Sequence, residues 1–228
     1  MIQNTTVLFA VLTAFAFGTN AMAQQIRTLP QSMPGVQGSV GLGFTDFQVQ
    51  KPSTTAKIDR GMFFAVSGER AFNVMNLYLT LQFSFLDAQG VANYNYTNLS
   101  SSTTYTANDV DFRARMMDLG LGLKLKIIDG YWFRPYVEGG GLGGYHELTY
   151  TSKSSVLAAQ GSDYKKKDTI MGSGFYYEAG IEVQLSDKFG VKLAARMSEY
   201  QTKPLETLAK SRLEFTSETY YVSGLVNF

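Results

Sequence analysis

Alternation of apolar and polar residues with a period of two recurs from residue 37 onward and constrains the fold more than any other feature. It is clearest in residues 76–85, where one face consists only of Leu and Phe and the other of Asn, Tyr, Thr, Gln and Ser. The same pattern recurs in residues 117–126, 175–185 and 191–198. A period of two is typical of β-strands, whereas helices repeat every 3.6 residues. The sequence therefore predicts an all-β protein whose strands have one wholly apolar face.

Eight strands are predicted, at residues 37–50, 58–70, 73–86, 109–127, 131–150, 169–186, 189–201 and 211–228. Long polar connections (51–57, 87–108, 151–168 and 202–210) alternate with tight turns near residues 68–72, 129–130 and 186–188. Transmembrane β-barrels alternate short periplasmic turns with longer extracellular loops, and an even strand number puts both termini on the periplasmic side. We therefore predict an eight-stranded antiparallel up-and-down transmembrane β-barrel over residues 37–228, with both termini periplasmic.

The first 23 residues have the features of an export signal. An apolar run from Val7 to Phe17 precedes a small-x-small cleavage site ending at Ala23. The run is shorter than the ~20 residues that a membrane-spanning helix needs, which disfavours an uncleaved anchor. Residues 24–36, with two prolines, are expected to form a periplasmic leader before the barrel.

A soluble lipocalin-like barrel and a membrane barrel share this strand pattern but differ in which face meets the surroundings. Only 17% of residues are charged, below the roughly 25% of soluble domains. The polar face mixes Gly, Ser and Gln with charges of both signs, and a water-facing surface is richer in charge. The polar face therefore fits a crowded lumen, and eight strands leave space there for side chains but not for an aqueous pore.

Charged residues on the polar face are predicted to pair across this lumen. The turn at 186–188 sets Glu182 opposite Lys192 and Glu178 opposite Arg196, with opposite signs in both pairs. The parity of the strand after Asp129-Gly130 requires a three-residue or bulged connection there. A structural salt-bridged network is favoured over a catalytic carboxylate pair, because each carboxylate has cationic neighbours. The predicted network comprises Asp118, Lys124, Lys126, Arg134, Glu138, Glu178, Glu182, Lys192 and Arg196.

Two segments resemble a known family. The last strand places Tyr220, Val222, Val226 and the C-terminal Phe228 on one face, which resembles the assembly signal of Gram-negative outer-membrane barrels. Residues 133–145 resemble the R-P-Y-V-x-x-G-x-G strand of small barrels of the OmpA/OmpX type. The resemblance implies an outer-membrane protein of a Gram-negative bacterium that is folded by the barrel-assembly machinery and has variable surface loops.

Enzyme, cofactor and metal motifs are weak. The chain has no Cys and a single His, which excludes thiolate and multi-histidine metal sites. The G-x-G-x-x-G at residues 139–144 arises from glycine density, and no cofactor is predicted. His146 lacks the neighbouring residues that lipid-A deacylase barrels use, so an interfacial histidine is expected. The formal charge of +1 gives no reason to expect nucleic-acid binding.

The expected role is structural or surface-interacting, non-enzymatic and monomeric. The loops at 87–108 and 151–168 are rich in Ser, Thr, Tyr and Asn, which suits adhesion-like contacts, although solvated hairpin tips have the same composition. The cationic run Lys165, Lys166 and Lys167 is expected to contact phosphates of lipopolysaccharide among the outer-membrane lipids. A narrow channel or small-ligand carrier and a lipid-A-modifying enzyme are the alternatives.

Overall fold

The computed structural model describes residues 36–49, 54–72, 76–98, 103–128, 132–152, 164–202 and 214–228. The eight strands are β1 (Val36–Val49), β2 (Thr54–Ala71), β3 (Leu77–Asn98), β4 (Thr103–Lys126), β5 (Phe133–Ser152), β6 (Tyr164–Gln184), β7 (Phe189–Thr202) and β8 (Glu214–Asn227). Each strand pairs antiparallel with its neighbours in chain order, and β1 also pairs with β8 to close the barrel. The predicted eight-stranded antiparallel up-and-down barrel is confirmed. The predictions for residues 1–23 and for most of 24–36 lie outside the described residues.

Strands β3 to β6 extend further into the predicted loops than the alternation indicated. The segment 87–108, expected to be a loop, is mostly strand, because β3 runs to Asn98 and β4 starts at Thr103. Likewise β5 runs to Ser152 and β6 starts at Tyr164, which shortens the loop expected at 151–168. The Thr and Tyr residues of these segments favour strands, and the pairing of β3 with β4 continues, with a register shift between Ala92 and Tyr94, up to the pair Asn98 and Thr103.

The outer face of the barrel is apolar and the inner face is largely polar. Leu121 and Phe175 point outward and are 58% and 64% exposed, whereas Lys124 and Glu178 point inward and are 2% and 3% exposed. A soluble barrel has the reverse arrangement, so the lipocalin-like alternative is wrong. Among the described residues, there is no helix long and apolar enough to cross a membrane.

The apolar outer face ends abruptly in one row of residues across four strands. The top apolar row is Phe85, Met117, Tyr145 and Met171, and the row above it is Asp87, Arg115, Glu147 and Thr169. We call the apolar outer face below this boundary the apolar belt, and the parts of β3 to β6 above it the upper wall. On β4 the belt runs from Met117 to Ile127, about 34 Å along the strand and about 25 Å along the membrane normal at a tilt of about 45°. This height matches the hydrocarbon-facing band of outer-membrane barrels.

Two glycines of β5 provide a matched test of barrel packing. A Cβ on the inward-facing Gly140 would lie 2.6 Å from the Cα of Gly122 on β4, whereas a Cβ on Gly143 would meet nothing within 4 Å. We expect Gly140→Ala to lower the free energy of unfolding by about 1–3 kcal/mol, because backbone atoms must move apart. Gly143→Ala should change it by less than about 0.5 kcal/mol. Urea unfolding in lipid vesicles measures both, and equal effects would contradict the packing described here.

Candidate functional site

Two lysines and three glutamates form the lower part of the lumen network. Lys124 Nζ lies 3.0 Å from Glu182 Oε1 and 3.6 Å from Glu138 Oε2, and it also contacts Glu69. Lys126 Nζ lies 2.5 Å from Glu69 Oε1 and 3.0 Å from Glu182 Oε2. All five residues are at most 8% exposed. The charges are therefore withdrawn from solvent and balanced against one another, as buried ions require.

Glu178 is the centre of the next level of the lumen. Its carboxylate lies 3.4 Å from Lys192 Nζ and 3.2 Å from Arg196 Nε. It also accepts hydrogen bonds of 2.6 Å from the hydroxyls of Tyr136 and Tyr221. Two cations and two hydroxyl groups from three strands therefore converge on one carboxylate.

Aromatic rings fill the space between the charged groups. Lys126 Nζ lies 4.0 Å from the ring centroid of Tyr78, and the Arg196 guanidinium carbon lies 4.1 Å from that of Tyr176. The Tyr176 hydroxyl in turn donates to Glu138 at 2.6 Å. Cation–π contacts of this kind add to the ion pairs where water is excluded. At this level the lumen is occupied by side chains, as the strand number predicts.

The observed ion pairs differ from those expected between facing residues. The β6–β7 register does place Glu178 opposite Arg196 and Glu182 opposite Lys192. The expected pair of Glu178 with Arg196 forms. Lys192, in contrast, contacts Glu178 instead of Glu182, and Glu182 contacts Lys124 and Lys126 from β4. The lumen is narrow enough for long side chains to reach strands that are not neighbours, so cross-strand register alone does not determine the partners.

Other expected lumen residues follow strand parity. Arg134 pairs in register with Glu182 and shares its inward face. Lys126 pairs with Tyr136, and both side chains face the lumen, as the expected parity of β5 requires. The three-residue or bulged turn expected near Asp129 lies outside the described residues. Glu69 was missed, although the inward positions of β2, Ala65 and Ser67, would have indicated it. The contacts of Tyr136, Tyr176 and Tyr221 were also missed, because the sequence analysis gave the tyrosines of the polar face no role in the network.

Asp118 lies apart from the network to which the sequence assigned it. Its Oδ1 lies 2.9 Å from Nε2 of His146, which is 0% exposed, and the Tyr200 ring lies 5.4 Å from the imidazole. The expectations that Asp118 joins the lower network and that His146 is interfacial are therefore wrong. His146 has the inward parity of Glu138 on β5, and Gly172 on β6 leaves room for its ring.

An apolar cluster, which the sequence did not reveal, fills the lumen above this pair. The residues at its centre are fully or almost fully buried: Phe47, Leu86, Phe112, Met116, Leu148 and Phe215. Phe47 and Phe215 stack with ring centroids 5.1 Å apart. The lumen is thus occupied at two levels, by ion pairs below and by apolar side chains above.

Charged side chains cover the outer face of the upper wall. Arg113 donates two hydrogen bonds to the Asp87 carboxylate, at 2.8 and 2.6 Å. Lys167 Nζ lies 2.7 Å from Glu147 Oε2, and this ion pair holds the pKa of Glu147 below its usual value. Lys165, Lys166 and Lys167 lie in β6 and not in a loop, and the side chains of the first two lie outside the described residues.

The Asp87–Arg113 pair predicts a small pH dependence of stability. The hydrogen bond from Arg113 lowers the pKa of Asp87, so the pair stabilises the fold above the unfolded pKa of about 4, and the effect is lost as the pH falls through the folded pKa. Because the Arg113 side chain is 38% exposed, we expect less than about 1 kcal/mol. Asp87→Asn should therefore be less stable than wild type near neutral pH, and the difference should be smaller at about pH 3 in urea unfolding. An equal deficit at both pH values would contradict this assignment.

The sequence matches the family model described as "Outer membrane protein beta-barrel domain" over residues 8–220. The chain belongs to this family. The resemblance expected from the sequence is confirmed, and the family places the protein in the outer membrane of a Gram-negative bacterium, with its apolar belt against lipid.

Several solved structures are similar to the chain at low sequence identity. Neisserial surface protein A is 13% identical, with a TM-score of 0.49 and coverage of 85% of this chain and 97% of that one. Outer membrane protein OprG of Pseudomonas aeruginosa is 14% identical, with a TM-score of 0.47 and coverage of 86% and 97%. Ail, the attachment invasion locus protein of Yersinia pestis, is 12% identical, with a TM-score of 0.41 and coverage of 83% and 98%. No curated protein matches the sequence.

Proposed function

We propose that this outer-membrane barrel is a non-enzymatic structural or surface-interaction protein with a closed lumen and a displayed upper wall. The observation that carries the proposal is the contrast between the two parts of the barrel. The lumen is blocked by the network around Glu178 and by the apolar cluster around Phe47, whereas β3 to β6 extend well above the apolar belt. Such a molecule offers its upper wall, and not its interior, to partners.

The proposal includes an orientation with both termini in the periplasm. The start of β1 and the end of β8 lie at the same end of the barrel as the short connection Leu185–Lys188, because Gln37 pairs with Asn227 and Val226 pairs with Phe189. The long strands project from the opposite end. Outer-membrane barrels place short turns in the periplasm and long hairpins outside the cell, which supports an extracellular upper wall.

The proposed partners during assembly are membrane lipids and the barrel-assembly machinery. Tyr220, Val222 and Phe228 are 62%, 52% and 80% exposed on the outer side of the last strand, and Val226 is 36% exposed on the same face. This apolar outer face of β8 is accessible, as the resemblance to the assembly signal requires. We propose a monomer in the membrane with lipid around the whole belt.

The alternatives make different demands on the lumen. A channel or small-ligand carrier would need a path through the ion pairs of Glu178 and Arg196, so its conductance in planar bilayers would change with Glu178→Ala. A lipid-A-modifying enzyme would need an accessible base, whereas His146 is completely buried beside Asp118. Altered lipid-A acylation on expression that disappears with His146→Ala would favour the enzyme.

Trimming the upper wall tests the proposed function. We expect replacement of residues 90–106 by a short turn to leave a folded, heat-modifiable barrel and to abolish attachment of expressing cells to surfaces or to other cells. Removal of residues 153–163, from the other loop expected to make contacts, should also weaken attachment. Unchanged attachment after both deletions, together with conductance in bilayers, would contradict the proposal.

A further inference from the structure

The upper wall has a cavity of about 720 Å³ on its outer face. Its lining includes Gln89 and Val91 from β3, Asp111, Arg113 and Arg115 from β4, and Glu147 and Thr149 from β5. Arg115 and Glu147 face one another in register directly above Met117 and Tyr145, the top row of the apolar belt. A molecule in the cavity therefore sits where the hydrocarbon ends and the polar headgroups begin.

The two arginines of the cavity differ in how far their donors are engaged. Arg113 donates two short hydrogen bonds to the Asp87 carboxylate. Arg115 Nε lies 3.4 Å from Asp87 Oδ2, and Arg115 Nη1 lies 3.9 Å from Glu147 Oε1. Both distances exceed the 2.7–2.9 Å of a strong charge-assisted hydrogen bond. Both carboxylates have shorter contacts, with Arg113 and Lys167 respectively. The Arg115 side chain is 43% exposed, so its guanidinium faces the cavity with donors suited to an anionic oxygen.

Neutral hydrogen-bonding groups line the cavity in the row above Arg115, and apolar groups lie below Arg115. Gln89 and Thr149 flank Arg113 in the same row across β3, β4 and β5. Amide and hydroxyl groups of this kind suit the hydroxyls of a sugar. Below the cavity, Met117 and Met171 are 49% and 59% exposed and offer adaptable apolar surface to acyl chains.

We propose that the cavity binds the headgroup of a phosphorylated glycolipid of the outer leaflet. Arg115 holds the phosphate, Gln89 and Thr149 hydrogen-bond the sugar, and the acyl chains lie on the top of the apolar belt. This assignment rests on the proposed orientation. It differs from the lysine run expected from the sequence, because Lys167 is engaged by Glu147 at 2.7 Å.

Titration of the refolded full-length barrel in detergent micelles with bis-phosphorylated lipid A tests the proposal. We expect saturable binding that Arg115→Gln weakens at least about ten-fold, because a charge-assisted contact is lost. Thr149→Val should weaken binding by a smaller factor. Arg70→Gln, which removes an exposed arginine at the opposite end of the barrel, is the matched control and should leave binding unchanged. Removal of the lipid-A phosphates should reduce wild-type binding to the level of Arg115→Gln.

Four outcomes would overturn the assignment: absence of saturable binding, equal affinity of wild type and Arg115→Gln, an equal loss with Arg70→Gln, or binding of phosphatidylglycerol as tight as that of lipid A. Heat-modifiable mobility of every variant establishes that each barrel is folded. Micelle binding does not depend on which end of the barrel is extracellular. Protease digestion of intact cells tests the orientation separately, so the two failures are distinguishable.

Discussion

Glu178→Ala is expected to lower the free energy of unfolding by about 3–5 kcal/mol. The substitution leaves the cations of Lys192 and Arg196 buried without their carboxylate, and it removes the acceptor of the Tyr136 and Tyr221 hydroxyls. Breaking one partner of a buried ion pair is strongly destabilising because the remaining charge stays withdrawn from water. Urea unfolding in lipid vesicles, followed by the fluorescence of the single tryptophan, Trp132, measures the change.

The control is a carboxylate that lies outside the buried ion-pair network of the lumen. Glu199 lies on β7 with an exposed side chain, and Glu199→Ala should change stability by less than about 0.5 kcal/mol. Equal stability of Glu178→Ala and Glu199→Ala would mean that the ion pairs around Glu178 do not hold the lumen together.

Leu121→Arg is expected to destabilise the inserted barrel by about 2–4 kcal/mol. Leu121 lies in the middle of the apolar belt with 58% of its surface exposed, so an arginine there must place its charge in hydrocarbon. Thr169→Arg is the matched control, because Thr169 is exposed in the row just above the belt, beside Glu147. Its effect should lie within about 0.5 kcal/mol. The same vesicle unfolding assay measures both, and equal effects would contradict the position of the belt boundary.

The alternation of apolar and polar residues predicted the number of strands, the order in which they pair and the face on which each side chain lies. Because side chains in a strand alternate between two faces, the inward positions of Glu178, Glu182, Lys192 and Arg196 followed once one tight turn was placed. The strand ends did not follow, because the alternation is inverted beyond the belt. There the outward residues of β3 and β4, such as Asp87, are polar, and the inward ones, such as Ala88 and Phe112, are apolar.

The contacts between side chains in the lumen were less predictable than the face of the strand on which each residue lies. Register assigns neighbours on adjacent strands, but Glu182 reaches Lys124 and Lys126 across the lumen, at distances set by barrel diameter and side-chain length. Asp118 had the right parity for the lumen, but its height along β4 matches His146, not the lower charges. The cavity beside Arg115 is completed by Gln89 and Val91, which lie in a segment that the sequence assigned to a loop, so no pattern in the sequence indicated it.

The central claim is that the apolar outer face meets lipid while the charged face lines a closed lumen. The chain has no cysteine, so a single fluorophore can be attached at Leu121→Cys or, for comparison, at Thr149→Cys above the belt. In vesicles whose acyl chains carry bromine near the bilayer centre, the probe at position 121 should be quenched strongly and the probe at position 149 weakly. A probe at position 121 that is unquenched by these lipids and fully accessible to water-soluble quenchers would contradict the account.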